Sequence, residues 1–125
     1  NEYYATHVNG HTFSLQPIDE KQNQEMQDFK MLMRLCDAKK VKASFIIFPM
    51  NPYCYNNLHV LNPLVDTITS TMANHGYPCL NMWISDTASF DKGILSDIMH
   101  PSEYGWYKAN KFIIDTSHLI KNNGE

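Results

Sequence analysis

The chain predicts an α/β domain with a mostly parallel sheet, on three observations. Two short apolar runs, Ala43–Phe48 and Pro78–Ile84, lack alternation, as strands buried on both faces of a parallel sheet do. Segments with apolar residues at spacings of three and four flank and separate them. The resulting order is helix, strand, helix, strand, helix, the alternation that builds a parallel sheet with helices on its faces. At 125 residues the length is that of one domain, residues 1–125. Hydrophobic residues make up 43% of the chain and charged residues 18%, which excludes a disordered chain.

Each element has its own signal. Residues 1–17 are irregular, with Asn9-Gly10 as a turn and Pro17 as a breaker. A helix is predicted from about Ile18 to Ala38, with Met26, Phe29, Met33 and Cys36 on one face and Leu32 alongside. Asp19 and Glu20 suit its positive N-terminal end, and Lys39 and Lys40 its negative C-terminal end. Pro49 stops the first strand. Asn62-Pro63 then reads as an N-cap with proline at the first helical position. Leu64, Val65, Ile68 and Met72 form the stripe of that helix, His75 sits at its end, and Gly76 closes it. A loop from Ser85 to His100 follows the second strand. Ser102 caps a last helix, with Trp106, Ala109, Ile113, Ser117 and Ile120 along one side. Two strands are few for a sheet, so either residues 1–15 add a third or further strands lie outside this segment. The open edge of such a sheet favours self-association.

Charge and composition narrow the function. Ten Lys+Arg against thirteen Asp+Glu give a net charge of −3. Arg34 is the only arginine, and the longest basic cluster is Lys39, Lys40 and Lys42. A nucleic-acid partner needs a basic face, and none is written here. No apolar run approaches the ~20 residues of a membrane span. The chain opens on Asn1, so a longer parent is expected, with any anchor outside this segment. Cys36, Cys54 and Cys79 show no CxxC spacing, so no zinc site is expected. Cys36 and Cys79 read as core thiols. His7, His11, His59 and His118 have no partner at ligand spacing, so neither metal nor cofactor is predicted. No Gly-rich phosphate loop is present, which argues against nucleotide binding.

In parallel sheets ligands sit beyond the carboxyl ends of the strands. Here those ends are Pro49–Asn57 and Ser85–His100, the two loops richest in polar and aromatic residues. Asp97 precedes His100 by three residues, one turn. Its carboxylate can accept a hydrogen bond from the imidazole Nδ1–H, leaving Nε2 as an outward base. The alternative is a loop histidine with a chance acidic neighbour. Asn51, at the end of the first strand, is an oxyanion-donor candidate; the alternative is an Asn-Pro turn. Tyr53, Tyr55 and Trp83 are candidates for a polyol-binding groove. No G-x-S-x-G elbow and no Gly-Asp-Ser occurs. A nucleophilic serine is therefore expected upstream of Asn1.

Together these residues carry a resemblance. Phe48-Pro-Met-Asn51 with a Tyr-rich loop, a helix ending in His-Gly-Tyr, an apolar strand, and Asp97-x-x-His100-x-x-x-x-Gly105-Trp106 resemble the C-terminal region of the D-alanine transfer protein (DltD) family. That family lies within the SGNH (GDSL-type) hydrolase superfamily. The resemblance covers about residues 25–118. It implies a flavodoxin-like three-layer α/β/α fold, of which this chain is a part. It implies acyl transfer or ester and thioester hydrolysis during D-alanylation of teichoic acids, with an acyl donor and a polymer acceptor. The site implied is the extracytoplasmic face of the membrane, alongside the D-alanylation machinery, with Asp97 and His100 matching the family's Asp–His pair. Three departures stand beside this. The serine block is absent, Pro101–Tyr104 replaces a Leu/Gly-rich stretch, and Asp86–Gly93 lacks an acidic aromatic run. The other reading is a non-catalytic cell-surface module that docks a polymer or partner through Tyr53, Tyr55 and Trp83.

Overall fold

The computed structural model describes residue 10 and residues 12–122, with side chains through Ser117. Its elements are α1 (Gln24–Lys39), β1 (Phe45–Ile47), a 3-10 turn (Leu58–Leu61), α2 (Asn62–Asn74), β2 (Cys79–Asn81) and α3 (Glu103–Asn122). β1 and β2 form a parallel pair with Phe45 opposite Cys79 and Ile47 opposite Asn81. Bonds from Phe45 N–H to Pro78 O (2.9 Å) and from Met82 N–H to Ile47 O (3.0 Å) bracket the pair. The described residues thus make a small α/β fold of a two-stranded parallel sheet and three helices.

The predicted elements are present, with shifted bounds. The first helix starts at Gln24 rather than Ile18. Asp19 opens a separate turn before it: its carboxylate accepts the Lys21 N–H (3.0 Å) and its carbonyl accepts from Gln22 and Asn23. That turn does not run on into α1. Asn23 then caps the helix, accepting the Met26 N–H at 2.8 Å. Asp19 and Glu20 therefore precede α1, and Glu25 is the acid of its first turn. Glu20 instead accepts the Thr67 hydroxyl (2.8 Å), tying this segment to α2. Met26, Met33 and Cys36 are buried as expected, whereas Leu32 is exposed. Phe29 meets Phe45 edge-on at 6.4 Å.

The predicted strands shrink to three residues each. Asn81 ends β2 by accepting the Trp83 N–H on its own side chain (2.9 Å). The Met82 N–H points to β1, so by alternation the Trp83 N–H faces the other edge. Residues 13–15 do not extend the sheet. Phe13 makes one parallel bridge to Tyr55 in the loop after β1. Leu15 and Asn57 exchange two bonds, of 2.8 and 2.7 Å.

Asn62 is the first residue of α2 rather than its cap; Leu61 holds that position. The Asn62 side chain is engaged elsewhere, accepting the Trp83 indole N–H at 2.9 Å. Gly76 closes α2 as predicted, at φ +74, a conformation L residues rarely adopt. Tyr77 N–H reaches back to Met72 O (2.9 Å) in a Schellman closure.

Ser102 caps α3, accepting the Gly105 N–H on Oγ (3.1 Å) and the Trp106 N–H on its carbonyl (2.9 Å). Its Oγ also donates to Gly93 O. The buried side of α3 differs from the predicted one. Gly105, Ala109 and Thr116 are buried with Phe112 half-buried, while Trp106 is 51% and Ile113 48% exposed. Ile120 lies outside the described side chains. Backbone proximity sets the rotation: a Cβ on Gly105 would lie 2.4 Å from Ile94 O. The glycine face has to turn inward, and Trp106 moves to the flank, edge-on to Phe48 at 5.4 Å. The core at this end is Phe90, Ile94 and Leu95, with Ile84 packed against it.

Gly105→Ala should therefore destabilise the fold by about 1–3 kcal/mol, the cost of overpacking against backbone. A urea midpoint unchanged from wild type would show that the helix can withdraw freely.

Candidate functional site

The loops beyond β1 and β2 meet, and the contact is made of hydrogen bonds. Asp97 closes a three-residue turn onto His100. Its Oδ1 accepts the N–H of Met99 (3.0 Å) and of His100 (2.8 Å). Its Oδ2 lies 2.7 Å from His100 Nδ1. The Asp97 side chain is only 13% exposed, that of His100 75%. Nε2 of His100 has no partner among the described residues. Burial pushes the Asp97 carboxyl pKa up, but the two N–H donors and the His100 ring outweigh it and hold the pKa below the ordinary carboxylate value. Ser96 secures the far side, donating N–H (2.9 Å) and Oγ (3.1 Å) to His100 O.

Asn51 joins the other loop to this turn. It is fully buried. Its N–H donates to Ile98 O (3.0 Å) and its Nδ2 to Asp97 O (3.2 Å). Its Oδ1 accepts the Tyr53 N–H (2.9 Å), and its carbonyl accepts from Cys54 and Tyr55. The side chain is thus both an Asx turn for its own loop and a donor to the neighbouring one.

The three aromatic candidates do not converge. Tyr53, 43% exposed, reaches the loop after β2: its hydroxyl donates to Thr87 O (3.4 Å) and its ring meets Phe90 edge-on (6.3 Å). Lys92 Nζ lies 4.6 Å from the Tyr53 ring centroid. Tyr55 turns away, to the Phe13 ring at 5.5 Å. Trp83 lines a groove of about 500 Å³ between β2 and α3, with Leu80, Met82, Ile84 and Phe112; His100 does not line it.

A family model described as DltD protein matches residues 1–117. The chain belongs to the DltD family. No curated protein and no solved structure matches it. DltD-family proteins serve the D-alanylation of teichoic acids in the cell envelope, so membership places this chain in that system. No described helix of this DltD-family chain is long and apolar enough to cross a membrane. No group of three or more potential metal ligands occurs among the described residues. His7 and His11, and the side chain of His118, lie outside them.

Two features of this DltD-family chain escaped the sequence reading. Cys54 is fully buried, and its thiol pKa is raised by burial and then by the charge of Asp97. Nothing in Pro-Tyr-Cys-Tyr marks a buried position. Asp37 and His75 form a second acid–histidine pair, Oδ2 to Nδ1 at 2.5 Å, with the Tyr77 hydroxyl donating to Asp37 Oδ1 (3.0 Å). That pair joins the ends of α1 and α2 across 38 positions, beyond any spacing rule.

The depressed Asp97 pKa fixes a pH dependence. A carboxylate stabilised by folding contributes stability above its unfolded pKa and loses it as pH falls through the folded value. Asp97→Asn should lower stability at neutral pH, and the gap to wild type should close as pH falls below the ordinary value of 3.8. Urea unfolding at pH 7 and near pH 3 measures both; a gap that widens in acid would contradict this assignment.

Proposed function

We propose that this chain is the C-terminal catalytic half of a DltD-type acyl-transfer domain, residues 1–125 forming one α/β unit of a flavodoxin-like three-layer fold. Contacts of opposite sense support the layering. Phe45 of β1 meets Phe29 of α1, whereas Phe48, just past the strand, meets Trp106 of α3.

The observation that carries the functional reading is the Asp97–His100 geometry: a nearly buried carboxylate on Nδ1, with the rest of the ring in solvent. In the mechanism, Asp97 holds the Nδ1–H tautomer. Nε2 of His100 takes the proton from a serine hydroxyl as that oxygen attacks the acyl carbon of a D-alanyl ester or thioester. The imidazolium, stabilised by Asp97, then gives this proton to the departing oxygen or sulfur. The same two steps, with a polyol hydroxyl as attacking group, pass the acyl group to a teichoic acid. The serine comes from outside this chain. The serines that flank the histidine in sequence are engaged, Ser96 with His100 O and Ser102 with Gly93 O. Asn51 is the oxyanion-donor candidate of the sequence; with its side chain buried and its amide bonded to Asp97 O, this reading gives it the turn that carries the base to hold rather than the substrate. The reaction belongs to the extracytoplasmic face of the membrane, where the D-alanylation machinery supplies the donor.

In the full-length parent, His100→Ala should reduce acyl transfer by about 10²–10⁴-fold, the usual contribution of a general base, while the protein stays folded. Turnover equal to wild type would overturn the assignment and favour a docking role.

A further inference from the structure

We infer that Asn51 is a positioning residue for the Asp97–His100 pair, acting through the backbone of the turn. The inference rests on the reading of that pair as orienting acid and base. The Asp97 carboxylate is already committed to three groups within its own turn, the N–H of Met99, the N–H of His100 and His100 Nδ1. A turn closed this way holds only while the peptides after Asp97 keep their tilt; a peptide that rotates there draws the ring away from the carboxylate. Asn51 opposes that motion. It donates to two consecutive carbonyls, Asp97 O by Nδ2 and Ile98 O by its own N–H. Two bonds to successive peptide groups fix both the position and the tilt of the turn.

The anchor is itself immobile. Asn51 is fully buried, and its Oδ1 is held by the Tyr53 N–H. Pro49 and Pro52 on either side are buried as well. A buried amide with its acceptor and donor both engaged loses stability if it rotates, because each group would be left unpaired. The loop after β1 thus acts as a rigid abutment for the loop that bears the base. A constellation of this kind tolerates about 0.5 Å of misplacement before function suffers. The role requires no contact between Asn51 and substrate.

The test reads the histidine directly. Imidazole 15N shifts give the tautomer ratio of His100 in this chain, at a pH well above the ordinary histidine value of ~6.5. Wild type should favour Nδ1–H. Asn51→Ala should shift the ratio by about tenfold toward Nε2–H, the loss of one charge-assisted bond in the neutral ring, with the fold retained by circular dichroism. Asn51→Asp is the second variant: it keeps the acceptor for the Tyr53 N–H and removes the donor to Asp97 O, and it should show the same shift. An unchanged ratio in folded variants would overturn the inference while leaving the pair intact. Failure of both variants to fold would also overturn it, making Asn51 a folding residue only. A wild-type His100 without Nδ1–H preference would overturn the catalytic reading first.

Discussion

Asn51 has no contact with water, and a buried amide is stable only while its hydrogen bonds are made. That requirement determines how the loops beyond the two strands are arranged. One loop presents Tyr53, Cys54 and Tyr55 N–H groups to Asn51, and the other presents the carbonyls of Asp97 and Ile98. Neither loop has regular structure of its own. Their order comes from satisfying one side chain and one peptide group between them, and the outward histidine inherits that order through Asp97.

The start of α3 supplies the second constraint. Ser102 gathers Gly93, Ile94, Gly105 and Trp106 around one residue, through its N–H, carbonyl and hydroxyl. The hydroxyl both accepts and donates, and does so from one atom. Gly105 lets the helix backbone reach the loop at that point. The turn bearing His100 is therefore held at both ends, by Ser96 and the Leu95–Pro101 bridge and by the capped helix that follows.

Much of this was legible in the sequence because it was local. Gly76, Ser102 and the three-residue spacing of Asp97 and His100 each act within one turn, and each is found where its type predicts. Helix faces depended on more. The apolar count placed Trp106 and Ile113 inward, but the close approach at Gly105 decided the rotation, and a glycine carries no hydropathy signal. The start of α1 was obscured because a separate turn on Asp19 precedes it and Asn23 supplies the cap. Asn62, a good cap by type, serves the Trp83 indole across 21 positions. The position of Asn51 was evident, its burial was not: polar residues next to proline read as turns at the surface, and only the meeting of two loops removes this one from water.

Cys54 lies inside the same junction, under the loop that Asn51 organises. A thiol attacks electrophiles as its thiolate, and burial together with the neighbouring Asp97 charge keeps this one protonated. Its chemistry is thus closed to solvent reagents for as long as its surroundings stay closed. Sulfhydryl reactivity here becomes a gauge of local opening: alkylation at this sulfur waits on exposure, at a rate set by the population of the open form. The thiol is a built-in reporter of the motion that would misplace the histidine, read in time rather than in distance.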